Sequence, residues 1–204
     1  MRLEDVTEVD LYDFDKTIVP FDTGTRFTLY CLLHYPWIII TMPVILGAGL
    51  LCLLGIIKLQ KFKNICFCYV AMIPFYHALL GFWKKHQKDI YDWVYERKFD
   101  RPFVIVTASP DFLIGEISVR LGAIAMISTH HKISNGRILS PNCKGKEKVR
   151  RYLDRIGDLP IDVINVYSDS FKSDQPIFSL ATGKCYHIEN GKPVSFNYSE
   201  KYGD

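Results

Sequence analysis

Three apolar runs in this chain end on oxygen-bearing side chains. "EVDLYDFD" reaches Asp13 and Asp15, "FVIVTAS" (Phe103–Ser109) carries Thr107 and Ser109 at its end, and "DVINVYSDS" reaches Asp169. Stretches with helical spacing lie between them: "DFLIGEISVRLG", closing on Gly122, and "KEKVRRYLDRIG". Strands alternating with helices imply an α/β architecture with a mostly parallel sheet. In such sheets ligands sit beyond the carboxyl ends of the strands. Three polar strand ends therefore point to one shared site before any single residue has a role. Two Asn-Gly pairs, in "KISNGRIL" and "CYHIENGKPVSF", predict hairpins.

The acids then need a chemistry. Asp13 and Asp15 lie two residues apart and repel each other unless water or a cation intervenes. Brought together, Asp13, Asp15 and Asp169 make an oxygen-rich site of the kind that holds Mg²⁺ with several waters retained. A carboxylate there can attack phosphorus and form an aspartyl phosphate. A second acid can protonate the leaving oxygen and later activate water. Thr107 offers a hydroxyl to the phosphoryl oxygens, and a lysine would offset the charge of the transition state. Singly these signals are weak, because Asp-x-Asp is common on loops and "TASP" and "SDS" are ordinary turns. Their order, each after a strand, is what makes them specific.

"DFDKT", "VTAS", "KGKEK" and "YSDSFKSD" together resemble the four ordered motifs of the haloacid dehalogenase superfamily, in the subgroup with a helical cap inserted after the first motif. Within it, "VTASP", "NCKGKEKV" and "YSDS" with an apolar insert are similar to the bacterial phosphatidylglycerophosphatase C type. The resemblance spans essentially the whole chain. It implies a Rossmann-like core from residues 1–20 and 100–204, a cap from 21–99, Mg²⁺ as cofactor and phosphatase activity on a phosphomonoester. It implies Asp13 as nucleophile and metal ligand, and Asp15 as general acid/base that also gives its backbone carbonyl to the metal. Thr107 would be the second-motif hydroxyl with Ser109 beside it, and Asp169 the distal metal ligand. An acid two residues after the nucleophile favours phosphate ester hydrolysis over dehalogenation. Two positions depart from the pattern. The Cys-x-Gly-x-x-Lys spacing selects Lys148 as the catalytic lysine, whereas the register of phosphoserine phosphatases selects Lys146, with Lys144 also at hand. Asp174 falls five residues after Asp169 where four is usual, so it either supports the metal or caps the helix before Pro176.

The 204 residues are 49% hydrophobic and 14% aromatic, which excludes disorder and suits one core with an insert. The net charge of +3 excludes a strongly basic nucleic-acid binder, but it is unevenly spread. From Thr23 to Lys88 there is no Asp or Glu. Arg26, Lys58, Lys61, Lys63, Lys84, Lys85 and Lys88 give that window +7, leaving −4 for the rest. Six cysteines lie scattered with no CxxC pair, which argues against zinc. "MRLEDVTEVD" is too acidic and polar for a secretory signal, and a reducing, cytoplasmic setting is expected for the polar part.

The basic window is also the apolar one. Trp37–Ile57 runs 21 residues without a charge, and Ile65–Trp83 runs 19. A helix of about 20 residues covers the roughly 30 Å of a bilayer core. Pro43 and Pro74 are expected to kink the two segments. A cap of this size cannot bury both on all sides, so lipid contact is expected. Asp13 precedes the insert while Thr107 and Asp169 follow it, so a single crossing is excluded. Two crossings are allowed but put Lys58, Lys61 and Lys63 on the far side, whereas an interfacial or re-entrant arrangement keeps the lysines at anionic headgroups with the core on the cytoplasmic side. "KKHQKDIYDWVYERKF" is expected to form one amphipathic helix back to the core. His77 and His86 are expected to be structural or solvated. The expected function is Mg²⁺-dependent hydrolysis of a lipid phosphomonoester, with Arg26 and flanking lysines, Lys146 among the candidates, binding its anionic parts. A soluble phosphatase of the phosphoserine type is the alternative.

Overall fold

The computed structural model describes residues 2–97 and 100–203. Its centre is a six-stranded sheet of β1 (Glu8–Tyr12), β2 (Phe103–Pro110), β3 (Ala125–Thr129), β4 (Asp162–Ser168), β5 (Lys184–Glu189) and β6 (Lys192–Phe196). The strand order is β3-β2-β1-β4-β5-β6, parallel except for the β5–β6 pair. The chain moves from β1 outward through β2 to β3, then crosses back to β4 and moves the other way. β1 and β4 therefore flank the switch in winding direction, where a crevice opens at the strand ends. Asp13 and Asp169 leave those two strands directly.

Alternation along the strands builds two apolar layers. Val9, Leu11, Val104 and Val106 face α7 (Lys146–Ile156) and α8 (Gln175–Phe178), joined by Tyr152, Ile177 and Phe178. Tyr12, Phe103, Ile105 and Tyr167 face the other way, with α6 (Asp111–Leu121) and much of the insert. α6 stops where Gly122 takes φ +84°, the left-handed cap that suits glycine. The second Asn-Gly makes the expected hairpin: Asn190 and Gly191 both have positive φ between β5 and β6. The first does not make a ladder. Residues 131–138 form a turn with one bridge, His131 to Ile138, and the insert braces its outer side: Asn64 Oδ1 accepts from the Ile138 amide at 2.8 Å. A short helix α9 (Tyr198–Tyr202) follows β6.

The insert between β1 and β2 forms α1 (Thr23–His34), α2 (Met42–Leu53), α3 (Leu59–Cys66), α4 (Phe75–His86) and α5 (Asp92–Arg97), with 3-10 turns at Pro36–Thr41 and Cys68–Met72. Its two apolar runs behave differently. The second is bent by 103° at Ile73 and Pro74 and packs inward. Tyr69, Val70, Phe75, Leu79, Phe82 and Trp83 are buried, and the Trp83 indole donates to the Leu113 carbonyl at 2.7 Å. This corrects the expectation that both runs need an outside partner. The first run stays outside. Pro36–Leu53 is long and apolar enough to cross a membrane by length and composition, yet only 11% of it is buried. A core helix of a soluble protein passes the same length test but is mostly buried. Pro43 sits in the first turn of α2, where its missing N–H costs nothing, and so starts the helix rather than kinking it.

The predicted helix from Lys84 to Phe99 is broken into the end of α4, a 3-10 turn at Gln87–Asp89, and α5. Its last two residues, and with them the predicted boundary at 99, lie outside the described residues. His86 is buried and bonds Asp89 at 2.7 Å, a structural role, while His77 is exposed.

Candidate active site

Asp13 is the first residue past β1, and its amide donates to the Tyr167 carbonyl at 2.9 Å, an extension of the β1–β4 ladder. The chain then reverses sharply. Lys16 takes φ +57°, uncommon outside glycine, and the Phe14 carbonyl accepts from Ile18 at 2.8 Å. This turn buries Thr17, whose hydroxyl accepts from the Asp169 amide at 3.0 Å. The first-motif loop and the β4 end are thereby tied together through the last residue of "DFDKT", to which the motif alone assigns no role. On the far side, His187 Nε2 lies 2.8 Å from the Asp169 carbonyl.

Lys148 settles which lysine enters the site. Its ammonium lies 2.9 Å from Asp13 Oδ1 and 2.9 Å from Asp174 Oδ2, with 2% of the residue exposed. Burial alone would lower its pKa, but the two carboxylates reverse that and hold the ammonium protonated. Lys146 is two residues away, on the other side of the helix at about 100° per residue, and is exposed, as is Lys144. The expectation that Lys146 binds substrate is therefore corrected: helical geometry turns it to solvent. Asp174 makes no capping bond to α8. Its carboxylate goes to Lys148 and to the Ser168 hydroxyl at 2.5 Å. The extra residue after Asp169 is absorbed in the turn, so Asp174 belongs to the site.

Asp15 is held differently. Ser109 Oγ donates to Oδ2 at 2.5 Å, and Thr23 donates to Oδ1 through its hydroxyl at 2.5 Å and its amide at 3.0 Å. Burial, with Asp22 adding, raises its pKa, while these bonds oppose the rise. Thr107 is buried next to it, and its hydroxyl accepts from the Ser109 amide at 3.2 Å. Thr23 opens the first helix of the insert, so the insert itself fixes the second acid. Arg26, one turn on, is exposed with its guanidinium over the Phe21 ring at 5.6 Å and no contact with the acids. Lys63 was grouped with the surface lysines. It turns inward instead, donating to Asn142 Oδ1 at 2.8 Å and to the Ala108 carbonyl at 3.3 Å.

The donor set fits a hard cation. Burial pushes the Asp13 carboxyl up to about 7, against Lys148 and with Asp174 and Asp15 adding to the rise, so an added cation would favour its ionised form. Asp174 Oδ1 is buried with no hydrogen-bond partner. Among the described residues no three His, Cys, Asp or Glu side chains form a closed cage. Mg²⁺ does not need one, since it is held by one or two carboxylates with waters and substrate oxygens completing the shell.

A family model described as haloacid dehalogenase-like hydrolase matches residues 11–179. The chain belongs to that family. It is a hydrolase with the family's α/β core. Protein CicA of Caulobacter vibrioides is 38% identical over 96 residues, covering 45% of this chain and 42% of that protein, so the match spans less than half the length of either. A protein of unknown function from Bordetella pertussis Tohama I superposes with TM-score 0.66 at 17% identity, over 81% of this chain and 83% of that one. A phospho-aspartyl intermediate analogue of phosphoserine phosphatase superposes with TM-score 0.54 at 14% identity, over 89% and 85%. These likenesses show the fold.

Two consequences can be measured. Lys148→Ala strands two buried carboxylates, and breaking a buried pair in this way costs about 3–5 kcal/mol. The denaturation midpoint should fall accordingly, and Mg²⁺ should recover part of the loss. An unchanged midpoint would mean that Lys148 does not bridge Asp13 and Asp174. Gly145 precedes α7 at φ +60°, ψ −130°, a conformation that side chains disfavour. An added Cβ meets only the Ser173 carbonyl at 3.7 Å, so the obstacle is backbone strain rather than a clash. Gly145→Ala should cost about 1–3 kcal/mol of stability and misplace Lys148, read as a lower melting temperature with reduced turnover.

Proposed function

We propose that this hydrolase is a phosphatase that cleaves a lipid phosphomonoester at a membrane surface through an aspartyl phosphate. The observation that carries the chemistry is the pair of unlike carboxylates. Asp13 faces a buried lysine at the strand end, and Asp15 is locked by Ser109 and Thr23 with its pKa raised. Asp13 attacks phosphorus. Asp15, whose pKa burial raises against the bonds from Ser109 and Thr23, delivers a proton to the leaving oxygen as its bond to phosphorus breaks, and then takes one from the water that attacks the aspartyl phosphate, releasing phosphate and restoring Asp13. Lys148 keeps Asp13 oriented and offsets charge on the phosphoryl group, and the Thr107 hydroxyl supplies a donor beside it, while Ser109 holds Asp15. Asp13, Asp169 and the Asp15 carbonyl would hold Mg²⁺, with Asp174 behind. The ion would supply Lewis-acid stabilisation of the phosphoryl oxygens.

The lipid part rests on the exposed first run. Ile39, Ile40, Leu46, Leu53 and Ile56 are all at least 66% exposed, Leu53 reaching 87%, and Leu33 just before the run is exposed as well. Patches of this kind mark interaction surfaces. Lys58 and Lys61 are exposed directly after the run, and no acid lies within the window, which suits an anionic bilayer face. The second run is packed inside the protein, and Lys63 is bonded to the core. These placements favour a helix lying in the interface over a span and a return. The motif resemblance makes phosphatidylglycerophosphate the first substrate to try, with the core on the cytoplasmic side. The likeness to phosphoserine phosphatase favours a second reading, a small-molecule phosphomonoesterase.

Phosphate release with Mg²⁺ separates them. Lipid phosphomonoesters in mixed micelles should be turned over well above phosphoserine. Activity on phosphoserine with none on any lipid phosphate would remove the lipid assignment.

A further inference from the structure

Beside the site, Lys63 is an ammonium that Asp22 and Asp15 act on only from beyond ion-pair distance. It comes from α3 of the insert and reaches the strand end between Thr107 and Ser109, where Ala108 offers its carbonyl at 3.3 Å. Its other acceptor is the neutral Asn142 side chain at 2.8 Å. Both acceptors are already bonded, since the Thr129 hydroxyl lies 3.0 Å from the same carbonyl and 3.2 Å from the same amide oxygen. An ammonium has three donors, and two are used. Among the described residues no carboxylate pairs with it within ion-pair distance. Its direct contacts are neutral oxygens and the carboxylates of Asp22 and Asp15 act only from further off, so a half-buried ammonium keeps a donor that an anion can complete.

The position says which anion. Asp13 already has Lys148 on the nucleophile side of the site. Lys63 approaches across the Thr107–Ser109 strand end, next to the Ser109 hydroxyl that holds Asp15. In the proposed reaction Asp15 faces the leaving oxygen, so a group entering beside it meets the part of the substrate that departs. The neighbouring contacts keep α3 there. Asn64 bonds the Ile138 amide, and the Phe67 ring lies edge-on to Phe112 and His131.

We infer that Lys63 is a specificity-determining residue that binds an anionic group carried by the leaving alcohol, a phosphodiester or a carboxylate. The inference rests on the phosphomonoesterase reading above. It makes Lys63 blind to substrates whose leaving alcohol is neutral.

The test uses the full chain with Mg²⁺ and three water-soluble substrates. Glycerol 3-phosphate has a neutral leaving alcohol, 3-phosphoglycerate has a carboxylate, and glycerophosphoglycerol phosphate has a phosphodiester. Lys63→Ala should lower kcat/KM for the anionic leaving groups by about 10- to 100-fold, the range for loss of a charged hydrogen bond. Glycerol 3-phosphate turnover should stay within about twofold, a change worth under 0.5 kcal/mol, which also shows that the variant is folded. The larger loss of the two tells a phosphodiester from a carboxylate. Lys63→Gln keeps an N–H for Ala108 and Asn142 and removes the charge, so it should behave like the alanine variant. Lys63→Arg should recover most of the activity. Equal losses on all three substrates, or no loss on any, would overturn the assignment while leaving the phosphatase reading standing. A wild-type protein inactive on every phosphomonoester would remove both.

Discussion

Asp13→Asn should abolish turnover and leave the fold intact. The amide keeps an oxygen for Lys148, and Lys148 keeps its bond to Asp174. Burial already pushes the Asp13 carboxyl toward its neutral form, so a neutral amide is a mild change for the folded protein. The amide cannot attack phosphorus. Loss of the nucleophile should cut kcat by at least ~10³-fold, about 4 kcal/mol of barrier. Phosphate release under single-turnover conditions reads the rate, and a melting curve reads the fold. A variant that keeps a tenth of the wild-type rate would show that Asp13 is not the attacking group. Asp15→Asn should instead depend on the leaving group. It should slow poor leaving groups strongly and activated ones such as p-nitrophenyl phosphate much less, because only the former need the proton.

The second large effect concerns the uncovered helix. Fully burying a leucine side chain is worth about 1.5–3 kcal/mol. Leu46 and Leu53 are 70% and 87% exposed, so most of that gain is unrealised in the isolated chain. Leu46→Asp with Leu53→Asp should therefore weaken binding to anionic vesicles by on the order of 100-fold or more. The activity on a soluble phosphomonoester should not change, because neither residue touches the acids. Vesicle flotation measures the binding. A wild-type protein that stays in the soluble fraction beside phosphatidylglycerol vesicles would contradict the surface assignment. Equal binding by the double variant would contradict it as well.

How far the sequence could be read follows from how local each feature is. The core strands β1, β2 and β4 show as apolar runs with polar ends, and the winding rule then places Asp13 beside Asp169. β3 left no comparable mark, since "AMIST" is short and mixed. The Cys-x-Gly-x-x-Lys spacing picks out Lys148, with Lys146 as its rival. The helix phase that buries it and exposes Lys146 becomes decisive once Gly145 fixes where α7 begins. Thr17, Ser168 and Asn142 lie within the motif stretches and Thr23 just beyond the first, but their spacing does not say which groups they bond. Lys63 was misplaced for the same reason: its charge suggested surface, while the packing of α3 turns it inward. The second apolar run was expected to need an outside partner because its length was legible; the kink at Pro74 was legible too, but the packing it allows against α6 was not.

The central claim is that phosphorus becomes bonded to Asp13 during turnover. The protein should be mixed with Mg²⁺ and a substrate it cleaves, quenched in acid within one turnover, digested and mapped by mass spectrometry. The account predicts a phosphoryl group on the peptide that contains Asp13, absent in Asp13→Asn and absent when Mg²⁺ is withheld. Turnover with a phosphoryl group on a different residue would contradict it.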